Sequence, residues 1–322
     1  MNHFSSRQYA GAPDLNLLIE FAEKAAKARW PRSTYKKVGD VVWMMAPELD
    51  RSANIRLWFD GADLVAYAWF ESPMNVEFNI MPGLALYDSV GDEILEWTEN
   101  RRRLTAQSRY ETIPKALAML GYEIVSLTMA LDSDDQRISL LERNGFRRTD
   151  GYDVLYRRSL KVPVSSPKLD PSLRLRHATD TDLQARVDVH RDAWSVWGPS
   201  KFDVETYRRI RSAPVYDPEL DVVLEDASGR FLSYCIGWLD IANGFGHFEP
   251  VGCRPDFTGR GYARAVTIEA IRRTQERGMH TALVATASVN ERARVLYPSC
   301  GFVEVERAHH YTKKLSPEGS IR

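Results

Sequence analysis

Two stretches of this chain can be laid over one another. DDQRISLLERNGFRRTDGYDVLYRRSL begins at Asp134 and NERARVLYPSCGFVEVERAHHYTKKL begins at Asn290. In both, apolar residues at helical spacing run to a Gly-Phe pair, and a two-strand pattern with a tyrosine and basic residues follows. Gly145 and Gly301 match, at an offset of 156 residues, which is one domain's worth of chain. A tandem duplication is the economical reading. The periodicity breaks between the copies, at SLKVPVSSPKLDPS, where three prolines and four serines spell a linker. The expected division is therefore a domain over residues 1–160, a linker over 161–172 and a second domain over 173–322.

At 322 residues the chain is long enough for two cores. Its 44% hydrophobic and 27% charged residues are those of an ordinary globular protein, and a net charge of −1 carries no signature for nucleic acid or an anionic membrane. Arg101-Arg102-Arg103 reads as a solvated helix face. Three cysteines without ligand spacing point to a reducing compartment with no disulfide framework. The first residues, MNHFSSRQYAGAPD, do not read as a signal peptide, and no apolar run approaches a membrane span, so a cytoplasmic location is expected.

In the second half, alternation predicts a strand at Leu173–Ala178, a helix capped by Asp180, a short helix at 203–211, and strands at 221–225, 231–241 and 246–253. A helix over about 261–277, closed by Gly278, a strand at 281–286, a further helix and two strands complete the order. The fold class is α+β (mixed α/β). In the first half, strands are expected at Asp40–Met45, Ile55–Phe59 and Leu64–Phe70, with Trp43, Trp58 and Trp69 as core.

The chemistry concentrates between Val251 and Phe302. In Thr258-Gly259-Arg260-Gly261-Tyr262-Ala263, alternating glycines let the backbone approach a ligand while a following helix adds the positive end of its dipole, an arrangement suited to a pyrophosphate. By itself such a turn is weak evidence. With Arg254, Arg260 and Arg264 around it, and the run Asn-x-x-Ala-x-x-Leu-Tyr-x-x-x-Gly-Phe from Asn290 to Phe302, the stretch resembles the GCN5-related N-acetyltransferase (GNAT) superfamily. The resemblance spans Leu173–Leu315. The family's phosphate loop begins with Gln or Arg, where this chain has Thr258.

The resemblance implies two tandem GNAT-like domains, each a central mixed, mostly antiparallel sheet flanked by helices, and acetyl-CoA or another acyl-CoA as co-substrate. It places the pantetheine arm along the backbone of Val251, Gly252 and Cys253 and the pyrophosphate on Gly259, Arg260, Gly261, Tyr262 and Ala263, with Arg264 beside them. Asn290 would touch the arm, and Tyr297 would protonate the departing thiolate. Direct transfer also needs a base for the amine. Glu249 is favoured, as a carboxylate beside the strand splay; His247 and a water chain are the alternatives. Pro250 predicts a bulge at that point. Without the motif, Tyr297 would read as a packed aromatic and Glu249 as a plain strand-face carboxylate. Cys253 and Cys300 read as small hydrophobes, and the neighbours His309 and His310 point to opposite faces, so no metal is expected.

Applying the offset, Tyr297 maps to Leu141 and Asn290 to Asp134, while the glycines of the first half's corresponding loop, Gly83 and Gly91, are too far apart for the same turn. The first copy is expected to have kept the fold and lost the chemistry. The chain then reads as an acyl-CoA-dependent N-acyltransferase acting on a small-molecule amine, a monomer behaving as a covalent pseudo-dimer, with a homodimer as the alternative. A layout of one worn and one intact copy is also similar to the mycothiol synthases, which acetylate the amine of a cysteinyl glycoside. The alternative from another class is a CoA-binding sensor without catalysis.

Overall fold

The structure, a computed structural model, describes residues 4–46, 52–71, 75–110 and 124–315. It has the mixed α/β architecture expected, in two compact units that interleave along the sequence. The first comprises Met1–Tyr35, Asp50–Asp153 and Glu306–Arg322; the second comprises Lys36–Leu49 and Val154–Val305. The units are therefore not the sequential halves.

In the first unit, β1 (Phe4–Gln8), β2 (Ile55–Asp60), β3 (Asp63–Glu71) and β4 (Asn75–Ile80) pair antiparallel in order. β5 (Ile124–Leu131) joins β4 in parallel at Asn75–Leu127, and its other edge takes the far end of β12 (Val303–Leu315), antiparallel. Helices α1 (Ala12–Arg29), α3 (Tyr87–Tyr110) and α4 (Asp135–Arg143) belong to this unit. Trp58, Phe78, Ile94, Leu140, Leu141 and Phe146 share its buried core.

The second unit orders its strands β6 (Arg147–Ser159, from Val154 on), β11 (Thr281–Ala287), β10 (Phe245–Cys253), β9 (Phe231–Asp240), β8 (Asp221–Glu225) and β7 (Arg174–His177). β7 to β10 are antiparallel, and β10 to β11 is parallel. Helices α2 (Val38–Met45), α5 (Leu183–Trp194), α6 (Val204–Arg211), α7 (Tyr262–Glu276) and α8 (Glu291–Ser299) complete it. The segment expected as a linker is held to α7: Gln275 Nε2 donates to the Leu160 and Val162 carbonyls, and its Oε1 accepts from the Val164 N–H.

Three local expectations are corrected. Asp40–Met45 is helical. Its apolar run suits a strand equally well, but Asp40 Oδ2 accepts the Lys37 N–H at 2.9 Å, closing a helical first turn. Gly39 makes the docking of that helix on β9 possible, since a Cβ there would lie 2.2 Å from the Trp238 ring. The helix after β7 starts later than expected, with Asp182 rather than Asp180 at its N-cap: a 3-10 turn capped by Thr179 precedes it, Asp182 Oδ2 accepting from both the N–H and the hydroxyl of Thr179, while Asp180 pairs with Arg211. The two-strand patterns ending each repeat are single strands, β6 and β12, of 13 residues each. Gly151 sits inside β6 because a Cβ would come within 2.8 Å of His310 Nδ1, a close approach rather than a turn.

Trp58 and Trp69 are core, and Trp43 is half-buried. Among the described residues no helix is long and apolar enough to cross a membrane, and no group of three or more His, Cys, Asp or Glu is placed to hold a metal ion.

Candidate active site

β10 runs parallel to β11 only through Phe245, Gly246 and His247, which face Thr281, Ala282 and Leu283. Beyond His247 the two strands part. On the opposite edge β10 stays paired to β9, with a register shift between Phe248 and Val251 that puts Glu249 and Pro250 in the expected bulge. Trp238 Nε1 donates to the Glu249 carbonyl at 2.6 Å and pins it. Glu249, Val251, Gly252 and Cys253 are all half-exposed and follow one another along the open side. Gly252 is required there by the Tyr234 ring, which a Cβ would approach to 2.4 Å.

At the end of β10 the chain turns through Pro255–Phe257, and the Thr258 hydroxyl donates back to the Pro255 carbonyl at 2.9 Å. Thr258 thus closes the turn, where the family pattern has a long side chain. Gly259 (φ 78°) and Gly261 (φ 81°) occupy the left-handed region, with nothing within 4 Å of a built Cβ. Gly261 is also the N-cap of α7 and has no side chain to satisfy the first-turn N–H groups of Tyr262, Ala263 and Arg264. An open, uncapped, glycine-lined helix start fits the pyrophosphate of a CoA ester. Tyr262 stacks on Phe257 with the Arg260 guanidinium 5.3 Å from the same ring, and Arg264 Nε donates to the Ser299 carbonyl at 3.1 Å. Arg254 turns away from the cradle: it is buried, donating to the Phe231 carbonyl and pairing with Asp192.

On the far side of the fork, Asn290 is the N-cap of α8, its Oδ1 accepting from the Ala293 N–H at 3.2 Å, which leaves its amide NH₂ for other partners. Tyr297 lies two turns on, 5% exposed, between the Tyr156 and Phe302 rings at 5.8 and 6.0 Å. Burial, then the negative charge of Glu249, hold its hydroxyl well above the ordinary tyrosine range, so it keeps its proton at neutral pH. Among the described residues that hydroxyl has no hydrogen-bond partner. Burial likewise raises the thiols of Cys235, Cys253 and, to about 11, Cys300, so all three are protonated at neutral pH.

Sequence reasoning missed Asp40. It arrives on α2 and places Oδ1 3.4 Å from His247 Nε2. His247 is 4% exposed, and burial depresses its ring to about 3. Also missed was His190 on α5, whose Nδ1 lies 2.7 Å from the Tyr234 hydroxyl, which in turn accepts from Trp194 Nε1 at 2.8 Å. Trp43 stacks on Phe202 at 5.2 Å beside His190. The i, i+4 spacing of His190 and Trp194 was visible in the sequence; Asp40 carried no signal, because its partner lies far along the chain.

The first copy repeats the frame. Asp134 caps α4, accepting from the Arg137 N–H at 3.1 Å as Asn290 does from Ala293, and Gly145 (φ 84°) matches Gly301 (φ 79°). Leu141, fully buried, stands where the second copy has Tyr297.

Residues 186–302 match the Acetyltransferase (GNAT) family. A mycothiol acetyltransferase of Saccharomonospora viridis is 27% identical over 186 residues, covering 54% of this chain and 60% of that protein, so the match spans less than two thirds of the relative. The crystal structure of a GCN5-related N-acetyltransferase from Sphaerobacter thermophilus superposes with a TM-score of 0.63 at 18% identity, covering 98% of this chain and 96% of the other. A tandem GNAT protein from the clavulanic acid biosynthesis pathway superposes with a TM-score of 0.62 at 12% identity, covering 98% and 99%. At such identities these two likenesses speak for the fold.

Proposed function

We propose that this chain, which carries a GNAT acetyltransferase domain in its second unit, is an acyl-CoA-dependent N-acyltransferase that acylates the amine of a small molecule. The observation that carries the reading is the fork: β10 and β11 part directly after His247, the uncapped glycine cradle follows β10, and Tyr297, on the helix after β11, lies within reach of the Glu249 charge. The thioester would supply an activated acyl carbon and a thiolate leaving group. Val251, Gly252 and Cys253 would hold the pantetheine arm as an added strand. Gly259 to Ala263, with Arg260 and Arg264, would hold the pyrophosphate, and Asn290 the arm's amides.

Glu249 is the better candidate for accepting the amine proton, because it is half-exposed in the bulge whereas His247 is enclosed. Tyr297, protonated and with no hydrogen-bond partner for its hydroxyl among the described residues, is suited to give a proton to sulfur. The likeness to a mycothiol acetyltransferase makes a cysteinyl glycoside the first acceptor to try. We expect acetyl-CoA and desulfo-CoA to raise the melting temperature, and an amine panel to release free thiol. Binding without turnover for any amine, together with an unchanged background rate in Tyr297→Phe, would favour the CoA-binding sensor instead.

A further inference from the structure

The first unit contains a cavity of about 240 Å³ at the end of its own strand fork. Asn79 on β4, the loop with Gly83, the C-terminal turn of α1 and the start of α4 enclose it. The fork itself is closed by one side chain. Arg137, 1% exposed, donates to the Phe78 carbonyl on β4 at 2.8 Å and to the Met129 carbonyl on β5 at 2.7 Å, bridging the strands where they diverge. At the corresponding position, 156 residues on, the second copy has Ala293, which reaches nothing comparable. The slot that suits an extended ligand in the second unit is filled in the first by an arginine. What remains is a partly open cavity, smaller than the roughly 300–1,000 Å³ of most small-molecule sites.

Among the lining residues cations outnumber carboxylates, while the Glu306 carboxylate beside them accepts from the Ser33 and Ser133 N–H groups. Arg29, Arg32 and Arg137 line it against Asp134 and Asp135, and Asp135 is exposed. The Asp134 carboxylate is fully engaged, Oδ2 accepting from Arg29 Nη1 at 2.9 Å and from the Tyr35 hydroxyl at 2.7 Å, and Oδ1 from the Arg137 N–H. Arg137 spends its guanidinium on neutral acceptors, the two carbonyls and the Thr128 hydroxyl. Among the described residues, Arg29 Nη2 is buried with no acceptor. A guanidinium N–H left unpaired away from water is costly, and a charged acceptor relieves it best.

We propose that this cavity is a second ligand site, which takes a small oxyanion, a carboxylate or phosphate group, on Arg29 with Arg32 at its mouth. It is independent of acyl transfer in the second unit. The test is calorimetry on the full chain at low ionic strength, with inorganic phosphate and malonate as probes, each with and without saturating acetyl-CoA. Saturable binding of either probe that survives acetyl-CoA is expected, weakened about tenfold or more in Arg29→Gln and several-fold in Arg32→Gln. The probe that binds tells phosphate from carboxylate. Arg32 is exposed, so its variant tests the site even where Arg29→Gln lowers stability. Absence of saturable binding by both probes, binding unchanged in both variants, or displacement by acetyl-CoA, which would put the anion on the Gly259–Gly261 turn, overturns the proposal.

Discussion

Asp40 Oδ1 faces His247 Nε2 at 3.4 Å, joining a helix from the early part of the chain to the strand that carries Glu249. Burial is the largest influence on His247 and drives its ring to about 3; attraction to Asp40 opposes that shift, and Lys37 and Lys36 reinforce it. Burial also works against the Asp40 charge, yet His247, the two lysines and the Lys37 N–H hold its carboxyl well below the usual range. The ring is therefore neutral and the carboxylate ionised at neutral pH, which favours the tautomer with its proton on Nε2.

This arrangement makes stability depend on pH. His190 and His247 both fall to about 3 in the folded chain from an ordinary 6.5, with burial the main cause. The unfolded chain binds the extra protons between those values, so stability is complete above about pH 6.5 and declines as pH is lowered toward 3. The slope is up to about 1.4 kcal/mol per pH unit for each histidine. Urea midpoints measured between pH 7 and 4 should show it, and His247→Gln should remove one proton from the slope; an unchanged slope would count against the assignment.

Tyr297→Phe should separate chemistry from packing. The hydroxyl has no partner among the described residues, so the melting temperature should barely move. If it protonates the leaving sulfur, kcat should fall by about 10²–10⁴, with KM for acetyl-CoA little changed. A wild-type kcat would remove the acid role.

Gly261→Val should abolish acetyl-CoA binding, because the position needs φ 81° and the cradle needs its backbone exposed. The left-handed conformation also charges any β-branched residue about 1–2 kcal/mol in stability. Gly261→Asn is the control, since Asn tolerates that region. Calorimetry should find Asn binding more tightly than Val; equal affinities would place the pyrophosphate elsewhere.

For Glu249→Gln, the rate against pH is the informative measurement. Loss of the ascending limb, with kcat down about 10²-fold or more, is expected for the base. A fully retained limb would move the role to water or His247.

Much of this was readable in advance. β8 (Asp221–Glu225) matches its expected bounds, and the Pro250 bulge and the Gly278 cap (φ 82°) were legible because prolines and glycines act locally. The left-handed turn at Gly259 and Gly261 and the helix start at Asn290 were legible because their signals lie close together in sequence. Helix α2 was not, since eight mostly apolar residues carry no period that separates a helix from a buried strand. Arg137 was not either: the offset exposed the losses at Leu141 and Asp134, but the reach of an arginine across two strands depends on where those strands diverge.

The interleaving of the units has a consequence for synthesis. Residues 36–49 of the second unit emerge early, whereas the first unit takes its last strand pairing from β12, after Glu306. As the chain leaves the ribosome, the partner edge of β5 stays bare until β12 has been added. The first unit is thus completed only after the second unit's chain has been made, and an exposed strand edge of this kind is where nascent chains associate wrongly. A chain stopped at the serine- and proline-rich segment would release that edge permanently uncovered.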